Sequence, residues 1–304
     1  MSKLTIIMYH YVRNIKKSDN PNIKGLEFYR FKKQLNYLEK NYKIINPFDL
    51  FSNKKIKKKS CLLTFDDGYK DHIKFVFPEL KKRKLSACFF PVAKPILEKK
   101  PLDVNLIHYI VAKVNNSKYL KKLLLNLLEK NNIKKNRINY FLKKYEINGR
   151  FDDKETIFVK RMLQHALSPQ LRKKIIYDLF KKILKITIKD FVKQVYMDLN
   201  DIKTLIKNKM FIGSHTHHHY WFEKLNKKEQ QKEIDLSLKF LKKLGILNKN
   251  WIMCYPYGSY NDHTLKYLKE KNCTFGFTTN PSIADIKIKK LELPRLDTND
   301  IPIK

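Results

Sequence analysis

The sequence predicts an α/β fold on a parallel sheet, open or closed into a barrel, cut once by a helical insertion. Three observations predict it. Short apolar runs alternate with amphipathic, helix-spaced segments over residues 1–99 and again over 200–304. Between them, residues 100–199 are mostly of helical spacing. The polar clusters His10, Asp66-Asp67, Ser214–His219 and Pro256–Gly258 each fall just past the end of a strand-like run. In a β/α barrel those strand ends converge on one face, where residues distant in sequence share a pocket.

Leu4–Met8 is a short β-type run ending at Tyr9-His10-Tyr11. Glu27–Tyr42 carries Phe28, Phe31, Leu35 and Leu38 at helical spacing. Cys61–Phe65 is a buried strand that runs into Asp66-Asp67-Gly68, a helix follows as far as Arg83, and Ala87–Val92 is a third strand. In the insertion, Leu120, Leu124, Leu127 and Leu128 recur at i, i+3 and i+4. Ser168-Pro169 offers an N-cap and a first-turn proline ahead of Leu171, Ile175, Leu179 and Phe180. Strands resume with Met210–Ile212, leading into Gly213-Ser214-His215, and with Trp251–Cys254, leading into Tyr255-Pro256-Tyr257-Gly258. Lys227–Lys243 between them is an amphipathic helix with Ile234, Leu238 and Leu241 on one face and Gly245 as its stop. Thr274–Thr278 and Leu291–Leu293 complete the strands. The expected domains are a barrel, residues 1–99 and 200–304, and a helical insertion, residues 100–199.

At 43% hydrophobic, the 304 residues can bury a real core, which excludes global disorder. The net charge of +36 has two readings. It can attract an anionic partner such as nucleic acid, anionic lipid or a phosphate-bearing substrate. Alternatively it is a solvated lysine surface reflecting codon bias, because only eight of the 65 basic residues are Arg, the planar fork that phosphate sites favour. No nucleic-acid module or Arg-rich stripe accompanies the charge, so nucleic acid is not the expected partner. Cys61, Cys88, Cys254 and Cys273 form no C-x-x-C pair, and three of them lie in strand-like runs, as buried free thiols do. The N-terminal apolar run is broken by Thr5 and His10 and lacks a small-residue cleavage site, unlike a signal peptide. The expected location is cytoplasmic, with the positive surface able to rest on the inner membrane.

Thr64-Phe65-Asp66-Asp67-Gly68 puts adjacent carboxylates at a strand end, an arrangement relieved only by a cation or a shared proton. The competing reading is a solvated Asp-Gly turn. In Ser214-His215-Thr216-His217-His218-His219, the i, i+4 pair His215 and His219 would share one side of a helical turn. His217 and His218 would then point elsewhere. One carboxylate and two imidazoles make a three-ligand metal site with positions left open, as catalysis requires. The second carboxylate is then free to accept a proton from water.

These motifs, followed by Tyr255-Pro256-Tyr257-Gly258, resemble the polysaccharide deacetylase (NodB-homology, carbohydrate esterase) family over residues 1–99 and 200–304. The resemblance implies a distorted (β/α) barrel of the deacetylase type. It implies Asp66 as base, Asp67, His215 and His219 as ligands of a divalent metal, zinc first, and the Tyr257 backbone N–H as oxyanion donor. Two positions depart from the family. Cys254 stands where the third motif usually has an Arg, leaving the base without its orienting cation; Arg295 is the candidate substitute, against a plain surface Arg. The late motif with the general-acid His is also absent. His10 looks like its counterpart, similar to the permuted deacetylases that act on poly-N-acetylglucosamine, against a structural His ending the first strand. Tyr69, Tyr220, Trp221, Tyr255 and Tyr260 flank the site loops as aromatic faces for sugar rings, and His72, His108, His165 and His263 read as structural or surface residues.

The expected function is metal-dependent removal of an N-acetyl or similar acyl group from an amino sugar. The substrate class is a cell-surface polysaccharide, a lipopolysaccharide or its lipid-linked precursor. The competing expectation is a degenerate barrel that binds glycan or an anionic surface without catalysis.

Overall fold

Period-two alternation along the strands sorts their side chains between two cores. The computed structural model describes residues 3–52, 56, 59–149, 152–246 and 250–303. Its strands are β1 (Lys3–Tyr9), β2 (Val12–Arg13), β3 (Leu26–Glu27), β4 (Lys43–Ile44), β5 (Ser60–Asp67), β6 (Cys88–Pro91), β7 (Phe211–Ile212), β8 (Trp251–Cys254), β9 (Cys273–Phe277), β10 (Ala284–Asp285) and β11 (Leu296–Asp297). Parallel pairings run β1–β5–β6–β7, with β4 added to β5 and β11 to the other edge of β1. β8 and β9 form a separate parallel pair. Single bridges, Ser214 to Met253 and Phe277 to Leu293, link that pair to β7 and to the segment entering β11. The strands thus follow one another around a circuit, but isolated bridges and not a continuous ladder complete it. This is the expected α/β class with a parallel sheet.

One core takes Ile7, Tyr9, Leu63, Phe65, Phe89 and Met253 from the strands and packs them on helical residues such as Leu35, Leu80, Ile202, Ile234 and Leu268. The other takes the alternate strand residues, Leu4, Ile6, Leu62, Phe90, Ile252, Cys254 and Phe277. Helices Phe28–Asn41 and Lys227–Lys243 match the spacing read from sequence, and Gly245 follows the latter with φ +75°.

The chain divides into two compact units, residues 1–14, 25–100 and 192–304, and residues 15–24 and 101–191. Within the second, helix Asp103–Lys113 packs on Pro169–Leu184, and Ser117–Lys130 on Lys154–Arg161. Leu106, Ile110, Leu120, Leu124, Phe158 and Leu179 are buried there. Ser168 precedes Pro169 as expected, although its side chain makes no capping bond.

Leu291–Leu293 is not a strand. Lys290–Glu292 is a 3-10 turn, and of these residues only Leu293 bridges to β9. Gly276 admits this turn, since a Cβ there would lie 2.2 Å from the Leu291 carbonyl oxygen. Arg295 consequently sits just before the short strand β11 and does not follow a strand. Among the described residues, no helix is long and apolar enough to cross a membrane.

Candidate active site

Strand alternation separates the adjacent carboxylates. Leu62, Thr64 and Asp66 share one side of β5, and Leu62 belongs to the second of the two cores. Asp67 ends the strand with φ +72°, and Gly68 repeats that value. A Cβ on Gly68 would meet Pro91 Cβ at 2.8 Å, so both conformation and space call for glycine.

Asp66 is gripped from one side. Arg295 donates from Nη1 to Asp66 Oδ1 at 2.9 Å and from Nη2 to Oδ2 at 2.7 Å. Its remaining N–H groups reach Thr278 O at 2.8 Å, Thr64 Oγ1 at 3.0 Å and Cys254 Sγ at 3.2 Å. All five donors of a guanidinium with 0% side-chain exposure are therefore engaged. The Cys254 thiol itself lies 3.3 Å from Asp66 Oδ2. Burial pushes the Asp66 carboxyl up, but the Arg295 charge and hydrogen bonds outweigh it and hold the group at about 2. His10, directly after β1, brings Nε2 to 3.9 Å from Asp66 Oδ2, and its side chain is 42% exposed.

Asp67 faces the histidines. Its Oδ1 is 3.2 Å from both His215 Nε2 and His219 Nε2, and those two nitrogens are 3.2 Å from each other. Oδ1 is buried yet takes a hydrogen bond from neither. Burial opposes ionisation of Asp67, but the neighbouring His219 and His215 rings carry the carboxyl well below the usual range. An equilateral set with this edge is what three ligands about 2 Å from one tetrahedral centre present, the length of zinc–nitrogen and zinc–oxygen bonds. The donor types, spacing and orphaned oxygen thus fit a divalent metal ion. His215 Nδ1 donates to the Cys254 carbonyl at 2.8 Å, which leaves Nε2 as the free ligand atom.

The histidine segment is not a helical turn, contrary to the i, i+4 reading. It is an irregular loop in which Thr216 and His219 both adopt φ +62°. Those two reversals, with His219 N–H donating to Thr216 Oγ1 at 3.0 Å, bring the imidazoles together. Gly213 makes the approach possible, because a Cβ there would stand 2.3 Å from the Phe90 ring. His217 and His218 do turn elsewhere. His217 Nε2 pairs with Glu98 Oε1 at 2.7 Å, and His218 Nδ1 with Glu233 Oε1 at 2.5 Å.

Tyr257 lies in the Pro256–Gly258 turn with φ +59°, its ring against His219 (centroids 4.7 Å) and stacked on Trp221 (4.3 Å). Tyr220 and Trp221 are exposed, whereas Tyr69 and Tyr255 are core residues and the Tyr260 hydroxyl donates to Glu292 Oε1 at 3.0 Å. His72 is buried with Nε2 2.9 Å from the His10 carbonyl; His263 is exposed, and His108 and His165 belong to the second unit.

The family model described as polysaccharide deacetylase matches residues 53–116 and 169–276, more than half of the chain. The chain belongs to the polysaccharide deacetylase family. It is 33% identical over 99 residues to YxkH of Bacillus subtilis (strain 168), a relative named for the same family. That stretch covers 31% of this deacetylase-family chain and 34% of the relative, about a third of each. Solved structures share the fold. The Streptococcus pyogenes deacetylase PplD, in complex with acetate, is 19% identical over 97% of this chain and 92% of its own, with TM-score 0.58. IcaB from Ammonifex degensii is 17% identical over 99% and 94%, with TM-score 0.59.

Five contacts of this family member's site escaped the sequence reading. Thr64 and the Cys254 thiol sit against the Arg295–Asp66 pair, the Tyr69 hydroxyl donates to Asp67 Oδ2 at 2.5 Å, and Glu98 and Glu233 hold the two outward histidines. Only Glu233 left a legible signal: it is a carboxylate one residue before Ile234, inside the apolar stripe of its helix.

Proposed function

We propose that this chain is a metal-dependent hydrolase that removes an N-acetyl or similar acyl group from an amino sugar. The substrate class is a cell-surface polysaccharide, a lipopolysaccharide or its lipid-linked precursor. The observation that carries the reading is the triangle of Asp67 Oδ1, His215 Nε2 and His219 Nε2, 3.2 Å on each edge, beside a separately anchored Asp66.

Asp67, His215 and His219 would hold the ion, which when bound supplies Lewis-acid polarisation of the acyl carbonyl and acidifies water. Zinc is the first ion to test, followed by cobalt, nickel, manganese and iron, which mixed nitrogen and oxygen donors also accept. Asp66, kept ionised and oriented by Arg295, accepts a proton from the attacking water. The Tyr257 backbone N–H stabilises the charge that develops on the acyl oxygen. His10, on the open side of Asp66, gives a proton to the leaving amine as the C–N bond breaks. Exposed Tyr220 and Trp221 offer apolar faces to sugar rings. The four free cysteines fit a cytoplasmic, reducing setting, and the net charge of +36 fits contact with an anionic membrane that carries the substrate.

The test is the metal content of wild-type protein against His215→Ala and Asp67→Ala, followed by acetate release from N-acetylated amino-sugar glycans. About one equivalent of divalent metal, absent from both variants, together with acetate release by wild type alone, is the expected result. Failure to take up metal after reconstitution would overturn the hydrolase reading and favour a glycan-binding barrel.

A further inference from the structure

Each oxygen of Asp67 has a different neighbour. Oδ1 lies between the two imidazoles, and Oδ2 accepts the Tyr69 hydroxyl at 2.5 Å. A carboxylate without that second contact can rotate about its terminal bond and exchange its oxygens. Tyr69 itself is immobilised. It is 1% exposed, its ring stacks on Tyr11 with centroids 3.8 Å apart, and a backbone bridge joins it to Tyr196. The donor is thus held rigid before any ligand arrives.

We propose that Tyr69 is a positioning residue that fixes which oxygen of Asp67 meets the metal, and so sets the metal affinity of the site. The inference rests on the metal-site reading of Asp67, His215 and His219. Tyr69 would touch neither metal nor substrate. It acts by donating to the oxygen the metal does not use, which orients the ligand and satisfies a lone pair of a carboxylate that is only 7% exposed.

Tyr69→Phe keeps the ring and removes only the donor. Tyr9→Phe is the matched control, because the Tyr9 hydroxyl is also buried, with 0% exposure of the residue, but has no hydrogen-bond partner among the described residues. Zinc dissociation constants of the full chain are measured by competition with a chromophoric chelator, and circular dichroism reports that each variant is folded. The expected result is zinc affinity about 10–100-fold weaker in Tyr69→Phe, the range for loss of a contact to a metal ligand, and no change in Tyr9→Phe. Tyr11→Leu, which removes both the ring stacked on Tyr69 and a side-chain hydrogen bond to it, gives a second, milder loss should Tyr69→Phe prove unstable. Equal zinc affinity in Tyr69→Phe and wild type overturns the proposal while leaving the metal site standing. Equal losses in Tyr69→Phe and Tyr9→Phe overturn it as well, by showing a general packing effect. A wild-type chain that takes up no zinc removes the metal-site reading, and this inference with it.

Discussion

Replacing Arg295 by Met should destabilise the protein by about 3–5 kcal/mol, the cost of leaving one member of a buried ion pair without its partner. Arg295 has 0% side-chain exposure and Asp66 2%, so bulk solvent compensates poorly for the lost partner. The variant strips Asp66 of both guanidinium bonds, at 2.9 and 2.7 Å, and leaves the Cys254 thiol at 3.3 Å and His10 Nε2 at 3.9 Å. Thr64 Oγ1 still donates to the Ile7 carbonyl at 2.7 Å, so the strand contact survives. The loss should therefore trace to the carboxylate. Urea unfolding at neutral pH measures it, and a cycle with Asp66→Asn apportions it. The double variant buries no charge at this position and should recover at least about 2 kcal/mol of the single-variant loss. A loss below about 1 kcal/mol in Arg295→Met, or strictly additive losses, would refute the reasoning, since an exposed pair gives such values. Arg295→Lys should cut kcat more than it raises KM, because one ammonium cannot span both carboxylate oxygens.

Removal of the imidazole in His10→Ala should lower kcat by about 10²–10⁴-fold with bound metal unchanged, and near-normal turnover would exclude His10 as the acid. His72 provides a pH test of stability. Burial lowers its pKa from 6.5 to about 4, so the folded state binds this proton less readily than the unfolded chain. Its contribution is complete above the unfolded value and is lost as pH falls from about 6.5 to 4, about 3 kcal/mol in all. His72→Phe should flatten that part of the stability–pH curve, and an unchanged slope would show that other groups generate it.

Much of the fold was legible because its signals are local. Apolar periodicity marked β1, the helix Lys227–Lys243 and the buried run from Cys61, and Gly245 announced a helix end. Leu291–Leu293 misled because an apolar triplet says nothing of what lies opposite; close approach to Gly276 made it a turn. The histidines misled in a similar way. Their i, i+4 spacing suits a helix, but loop residues with positive φ bring the rings together.

By itself, the sequence determined the chemical inventory: two carboxylates at one strand end, four histidines after another and a Pro-Tyr-Gly turn after a third. Residue type and local spacing encode those directly. The tertiary structure alone decided which atoms meet. Arg295 reaches Asp66 across 229 positions of sequence through two hydrogen bonds, its other three N–H groups being held by Thr278, Thr64 and Cys254, and no local pattern contains that contact. Likewise, the Tyr69 ring could have packed anywhere in the core. Its hydroxyl meets Asp67 Oδ2 two positions back, where Asp67 stands at φ +72°, a backbone reversal that residue type does not announce.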